Sequence, residues 1–155
     1  LAGARESLLV ATQPAEASAL AAALDAARAR GVSVTTLCME ACETECGGCV
    51  GDVHRYALAP RQGVRWLLLV ADERQAIAAE MQPGATRAIT TEQPLVVELA
   101  AAYIRQSIAL ATLCGGLGAR FDGLLSTQAR KVLDDLHPEG GFAAWFQHVV
   151  GNRAA

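Results

Sequence analysis

Ser7 to Leu37 reads SLLVATQPAEASALAAALDAARARGVSVTTL, and the fold follows from this stretch. The short apolar run Ser7 to Thr12 ends at Gln13-Pro14, as a buried strand does when a proline removes the next ladder donor. From Ala15 to Arg30 the residues Ala19, Leu20, Ala23, Leu24 and Ala27 recur at helical spacing, and Gly31 stops the helix. Val32 to Leu37 then alternates with β-branched residues, the pattern of a half-buried strand. The chain therefore opens β-α-β, and a crossover of that kind makes its two strands parallel.

Outward from this unit, Val53 to Leu58 is a weaker strand and Pro60-Arg61-Gln62-Gly63 a turn. Val64 to Ala71 (VRWLLLVA) is the clearest strand in the chain. Asp72-Glu73-Arg74 reads as a turn, after which Gln75 to Met81 pairs back as an antiparallel strand, with a helix as its alternative, and Thr86 to Thr90 adds another strand. Thr91 is expected to cap a long helix with Glu92 and Pro94 in its first turn, running to a stop at Gly115-Gly116. Its apolar residues spread so widely that burial on several sides is expected, in a core or against a second subunit. Two short helices, Ser126 to Leu136 and Gly141 to Val150, follow around His137-Pro138-Glu139-Gly140. The class is α/β, a mixed sheet with helices packed on it. Residues 1–120 form the main domain and 121–155 a helical extension.

Composition sets the outer limits. The 155 residues carry a net charge of −3, are 52% apolar and 19% charged, and suit one globular domain that buries roughly two-thirds of its unfolded surface. Staples are not required for stability, so a metal site needs another reason. With one lysine, Lys131, against twelve arginines, no basic stripe exists of the kind that grips nucleic acid non-specifically. Uninterrupted apolar runs such as Trp66 to Ala71 fall far short of the ~20 residues of a membrane span, and no charged-then-apolar leader opens the chain. A soluble, cytoplasmic protein is expected. Residue 1 is Leu, so a segment of a longer chain is expected as well.

Four of five cysteines fall within twelve residues, Cys38, Cys42, Cys46 and Cys49, with Gly47-Gly48 before the last. On one straight helix their thiols would lie on a stripe roughly 16 Å long, too extended for one ion, so convergence needs a bend that Gly47-Gly48 permits. Glu40, Glu43, Glu45 and Asp52 surround the thiols, and no Lys or Arg lies between Arg30 and Arg55. That setting opposes an activated peroxide-sensing thiolate and favours a bound cation. Four soft thiolates suit tetrahedral zinc or an iron–sulfur cluster, while unligated thiols or a disulfide remain as alternatives. His54 is close enough in sequence to replace one cysteine. Cys114, at the end of an apolar helix, reads as a small buried hydrophobe.

Three stretches, ARESLLVATQPAEASALAAALDAARARGVSV, GVRWLLLVADERQAIAAEM and ATRAITTEQPLVVELAAAYIRQSIA, carry a resemblance that extends from Ala4 to about Leu113. They resemble the phospholipase D-like effector domain of TrmB-type transcription regulators. The resemblance implies a phospholipase D-like fold that senses a signal and dimerises, with DNA bound only through a winged helix outside this segment. Catalytic phospholipase D-like proteins carry H-x-K-x4-D on the strand equivalent to Val64–Ala71. Counting back from Asp72, this chain offers Leu67 for the lysine and Arg65 for the histidine, so nucleophile and phosphate clamp are both missing.

The expected function is thus a non-enzymatic sensor and dimerisation domain of a transcription regulator. Its metal loop of Cys38, Cys42, Cys46 and Cys49 reports metal or redox status or braces the fold. The expected partners are a second copy and a small-molecule or metal effector. The alternatives are a phospholipase D-like phosphodiesterase or nuclease using other residues, and a purely structural dimerisation module stapled by zinc. Cys114-Gly115-Gly116-Leu117-Gly118 follows a helix and is a stop rather than a phosphate cradle. Phe142, Trp145, Phe146 and Val149 form an apolar stripe suited to a core or a dimer contact.

Overall fold

The computed structural model describes residues 1–39, 48–55, 64–117 and 120–136. The chain runs β1 (Ser7–Thr12), α1 (Pro14–Ala29), β2 (Ser33–Cys38), β3 (Asp52–Arg55), β4 (Arg65–Ala71), β5 (Gln75–Gln82), β6 (Ala85–Thr91), α2 (Pro94–Leu117), α3 (Arg120–Leu124) and α4 (Thr127–Leu136). The strands form one mixed sheet in the order β3-β2-β1-β4-β5-β6. β1 pairs parallel with β2, and β2 parallel with β3. β4, β5 and β6 extend the sheet antiparallel from the other side of β1. The α/β class, the opening β-α-β unit and the antiparallel return of Gln75 to Met81 are all as the sequence reads.

Side chains alternate across the sheet and feed two separate cores. Leu8, Val10, Val34 and Leu69 face Leu24 and Ala27 of α1. Ala11, Leu37, Met39 and Val70 face Val97, Ala101 and Ile104 of α2. The hairpin between β4 and β5 turns at Asp72 and Glu73, both with positive φ, and Arg74 N–H donates to the Ala71 carbonyl at 2.9 Å. This is a type I′ arrangement without glycine, so something must stabilise it. Asp72 does: its carboxylate accepts from the backbone N–H of Glu6 at 2.8 Å, of Ser7 at 2.9 Å and of Arg5 at 2.9 Å. The strain of the turn is held by the strand that β4 pairs with.

Several boundaries differ from the sequence reading. The strand expected over Val53 to Leu58 is Asp52–Arg55, and residues 56–63 lie outside the described residues. Thr91 ends β6 rather than capping α2. The cap is Gln93, whose Oε1 accepts from Val96 N–H at 2.7 Å, and Thr91 Oγ1 in turn accepts from Gln93 N–H at 3.1 Å. Glu92 therefore precedes the first turn that it was expected to occupy. Gly115-Gly116 do not stop α2, which continues to Leu117 and is followed by the short α3. Ser126 does cap α4, its Oγ accepting from Ala129 N–H at 3.2 Å. Leu125 and Leu133 pack against the α2-side core. The helix expected at Gly141 to Val150, with Phe142, Trp145, Phe146 and Val149, and the side chain of Cys114 lie outside the described residues.

Within one copy of the chain, α2 is buried on one side. One face is covered, while Leu95, Leu99 and Leu113 on the opposite face are more than half exposed. By length and composition alone Pro94–Leu113 would suffice to cross a membrane, with a mean hydropathy of 1.3. Glu98 and Arg105 interrupt it, so it is not a continuous apolar run.

Candidate functional site at the carboxyl ends of the parallel strands

In open α/β sheets the crevice at the carboxyl ends of the parallel strands is where backbone groups, loops and a helix N-terminus converge. Here that edge brings together the ends of β1 and β2, the first turn of α1 and the start of β4, which runs antiparallel. Thr12, the last residue of β1, is in register with Cys38, the last residue of β2, and both are fully buried. Met39 N–H donates to the Thr12 carbonyl at 2.9 Å and prolongs the pairing by one residue. Cys38 is thus fixed on a strand rather than carried on a loop.

The loop returns at Gly48. A β-carbon there would stand 2.4 Å from the Ser18 backbone nitrogen of α1, closer than any side chain allows. Only glycine lets this backbone lie against the helix. Cys49 follows, half-buried, and the Val50 carbonyl accepts from Thr36 Oγ1 at 2.7 Å, locking the entry to β3 onto β2. Both ends of the cysteine loop are therefore held at this edge. Cys42 and Cys46 lie outside the described residues, and among the described residues no three His, Cys, Asp or Glu side chains gather as a metal-binding group.

His54, the possible substitute ligand, does not share the face of Cys38. It is in register with Leu37, which belongs to the α2-side core, and its Nε2 lies 3.2 Å from Asp52 Oδ2 on the same face. Arg55, not His54, is the register partner of Cys38.

Two buried polar residues that the sequence did not single out complete the edge. Gln13, 2% exposed, sits between β1 and α1 with its Oε1 unpartnered among the described residues. Glu16, in the first turn of α1, offers Oε1 to Arg65 Nη1 at 3.3 Å, while its Oε2 has no donor among the described residues. Nothing in the pattern PAEAS marks Glu16 as buried, because an acidic residue in a first helical turn is ordinary on dipole grounds alone.

On β4, where the resemblance would set histidine and lysine, Arg65 and Leu67 stand instead. Arg65 opens β4 and spends part of its guanidinium on Glu16, and Leu67 packs against the α1-side core. Asp72 is in place, but its carboxylate is taken up by the N–H groups of residues 5 to 7. Those donors, Ser7 first, then Glu6 and Arg5, hold its pKa below the ordinary aspartate value against a smaller opposing effect of burial.

No protein-family model matches the chain, and no curated protein sequence does. Among solved structures it is similar to TrmBL2, an archaeal chromatin protein whose structure shows a novel mode of DNA binding, at 17% identity and a TM-score of 0.47. That match covers 67% of this chain and 43% of TrmBL2, so the chain spans less than half of that protein. NucT from Helicobacter pylori is similar at 14% identity and a TM-score of 0.48, over 68% of this chain and 80% of NucT.

Proposed function

We propose that the chain is the sensor and dimerisation domain of a transcription regulator in the cytoplasm. Cys38, Cys42, Cys46 and Cys49 together hold one zinc ion, with an iron–sulfur cluster as the alternative occupant. The observation that carries this reading is the anchoring of the cysteine loop at both ends. Cys38 closes β2, and Gly48 lies on α1, so the two outer thiols start from fixed positions at the edge where α/β sheets bind ligands. The resemblance of three stretches to TrmB-type effector domains supports the regulatory role. DNA contact belongs to a part of the protein outside these residues, in keeping with a net charge of −3 and a single lysine.

A route from loop to partner exists in the packing. Cys38 faces the α1 side, but the next residue, Met39, is buried in the α2-side core with Val97 and Ile104. Gain or loss of the ion, or an effector bound at this edge, acts on α2 through Met39, and α2 is the surface offered to a second copy. Such a signal shifts an equilibrium only by as much as it prefers one state. Enzymatic hydrolysis of phosphodiesters is not part of the proposal, since Arg65 and Leu67 supply neither the nucleophile nor the phosphate clamp.

Metal analysis with an absorption spectrum on anaerobically purified protein tests it. About one zinc per chain and a colourless solution are expected, and Cys49→Ser should lower the metal content severalfold. A brown protein with iron and acid-labile sulfide would select the alternative ion. A metal content unmoved by Cys49→Ser would overturn the cysteine centre. A dimer whose state is the same with and without metal would reduce the loop to a staple.

A further inference from the structure

Resting on the homodimer reading above, we infer that two copies pair through the outer face of α2, antiparallel about a two-fold axis between residues 101 and 102. In this pairing Glu98 of each copy meets Arg105 of the other.

The face is defined by what the sheet leaves uncovered. Val97, Ala100, Ala101, Ile104 and Ala111 are buried, so the opposite side of α2 carries Leu95, Leu99 and Leu113, exposed at 57, 61 and 56%, with Tyr103 at its margin, 38% exposed and tilted against Trp66 of β4 at 5.9 Å. Ala102 and Ala109 lie on the same side, with Gln106 the one uncharged polar residue among them. An apolar strip along this much of a helix marks an interaction surface.

Charge chooses the occupant. Glu98 and Arg105 are both exposed and seven residues apart, which places them within about 20° of each other on one flank of the strip. When two helices pack antiparallel about a two-fold axis, each flank meets its own copy running the opposite way. An axis midway between the two residues then sets Glu98 against Arg105 twice, and an isologous interface is self-complementary in this sense. The same axis places Ala102 beside its copy, where a small side chain lets the helices approach within the 8–10 Å usual for packed helices. Arg105 already holds Glu73 of its own hairpin turn. Its guanidinium has five N–H donors, enough to hold both carboxylates. A membrane surface fits less well, because helices that lie in the interface flank their apolar face with lysine and arginine, whereas this flank has one charge of each sign and the chain is acidic.

Sedimentation velocity of the whole chain from about 1 to 100 μM, beside flotation with anionic vesicles, tests the inference. Leu99→Glu replaces a side chain that is 61% exposed and so leaves the fold intact, which circular dichroism checks. It should weaken the dimer at least tenfold, while Glu98→Arg and Arg105→Glu should each weaken it severalfold. The double variant Glu98→Arg/Arg105→Glu should dimerise more tightly than either single variant while staying weaker than the parent, because the swap restores exposed pairs worth only ~0.2–1 kcal/mol each but gives up the Arg105–Glu73 contact. A dimer indifferent to Leu99→Glu would overturn this surface and leave the homodimer reading standing. A dimer that Leu99→Glu breaks but the double swap does not rescue would overturn the antiparallel register. A monomer at 100 μM would overturn both readings, and flotation of that monomer with vesicles would give the face to a membrane.

Discussion

The two ends of β4 treat a carboxylate in opposite ways. After its last residue, Asp72 receives N–H groups from three consecutive residues, Arg5 and Glu6 leading into β1 and Ser7 that begins it, and these favour its charged form. Beside its first residue, Glu16 is buried with one oxygen on Arg65 and the other without a donor among the described residues. The first arrangement is what stability selects. The second leaves a buried acceptor whose desolvation is not compensated, and such a group is kept where something other than stability is at stake. The end with the unmatched oxygen is also the end that holds Cys38 and Gly48.

The largest effect expected from disturbing this contrast is at Gly48. Alanine there drives a β-carbon into the α1 backbone and should cost about 3 kcal/mol or release the loop from the helix. Thermal unfolding together with metal content checks it. An unchanged melting temperature would mean that the loop does not rest on α1.

At the other end, Asp72→Asn should destabilise by about 1 kcal/mol, discounted for solvent, since an amide offers one acceptor oxygen where the carboxylate offers two and turns an NH2 toward backbone donors. The pH dependence has a definite sign. Because the folded pKa of Asp72 is lowered, its contribution is complete above the unfolded value near 3.9 and fades as pH falls through the lower folded value. Denaturant midpoints between pH 6 and pH 3 should fall more steeply for the parent than for Asp72→Asn, and parallel slopes would refute the assignment.

Smallest of all should be Glu16→Gln. Removing a buried charge with one unpartnered oxygen offsets the loss of the Arg65 pair, and Arg65 is itself 53% exposed, so stability should change by no more than ~0.5 kcal/mol. A loss of 2 kcal/mol by chemical denaturation would show that both ends of β4 are structural in the same degree.

The sheet was legible because its pattern is local. SLLVAT, VSVTTL and VRWLLLVA announce strands through their own residues, and the helical spacing of Ala19 to Ala27 does the same for α1. The ends of α2 differ from that pattern because neighbouring residues compete for one role and distant contacts decide between them. Gln93 caps α2 through a glutamine side chain that no propensity favours, while Thr91, the better capping residue, is held in β6 by its register with Ala76. Gly115-Gly116 could continue a helix whose buried face reaches Ala111. The breadth of the apolar residues in α2 was visible, but not which side the sheet would cover. At the candidate site, the cysteines announced themselves by spacing, and the place of Cys38 on a buried strand end followed from no spacing at all. Glu16, Gln13 and the Asp72 clamp depend on contacts across dozens of residues.

The central claim is that four cysteines converge on one ion at the edge where β2 ends. X-ray absorption at the zinc edge of anaerobically purified protein tests it most directly. The account predicts four sulfur scatterers at about 2.3 Å and a loss of that shell in Cys49→Ser. A first shell of nitrogen and oxygen, or protein without metal whose four thiols all titrate in the folded state, would contradict it.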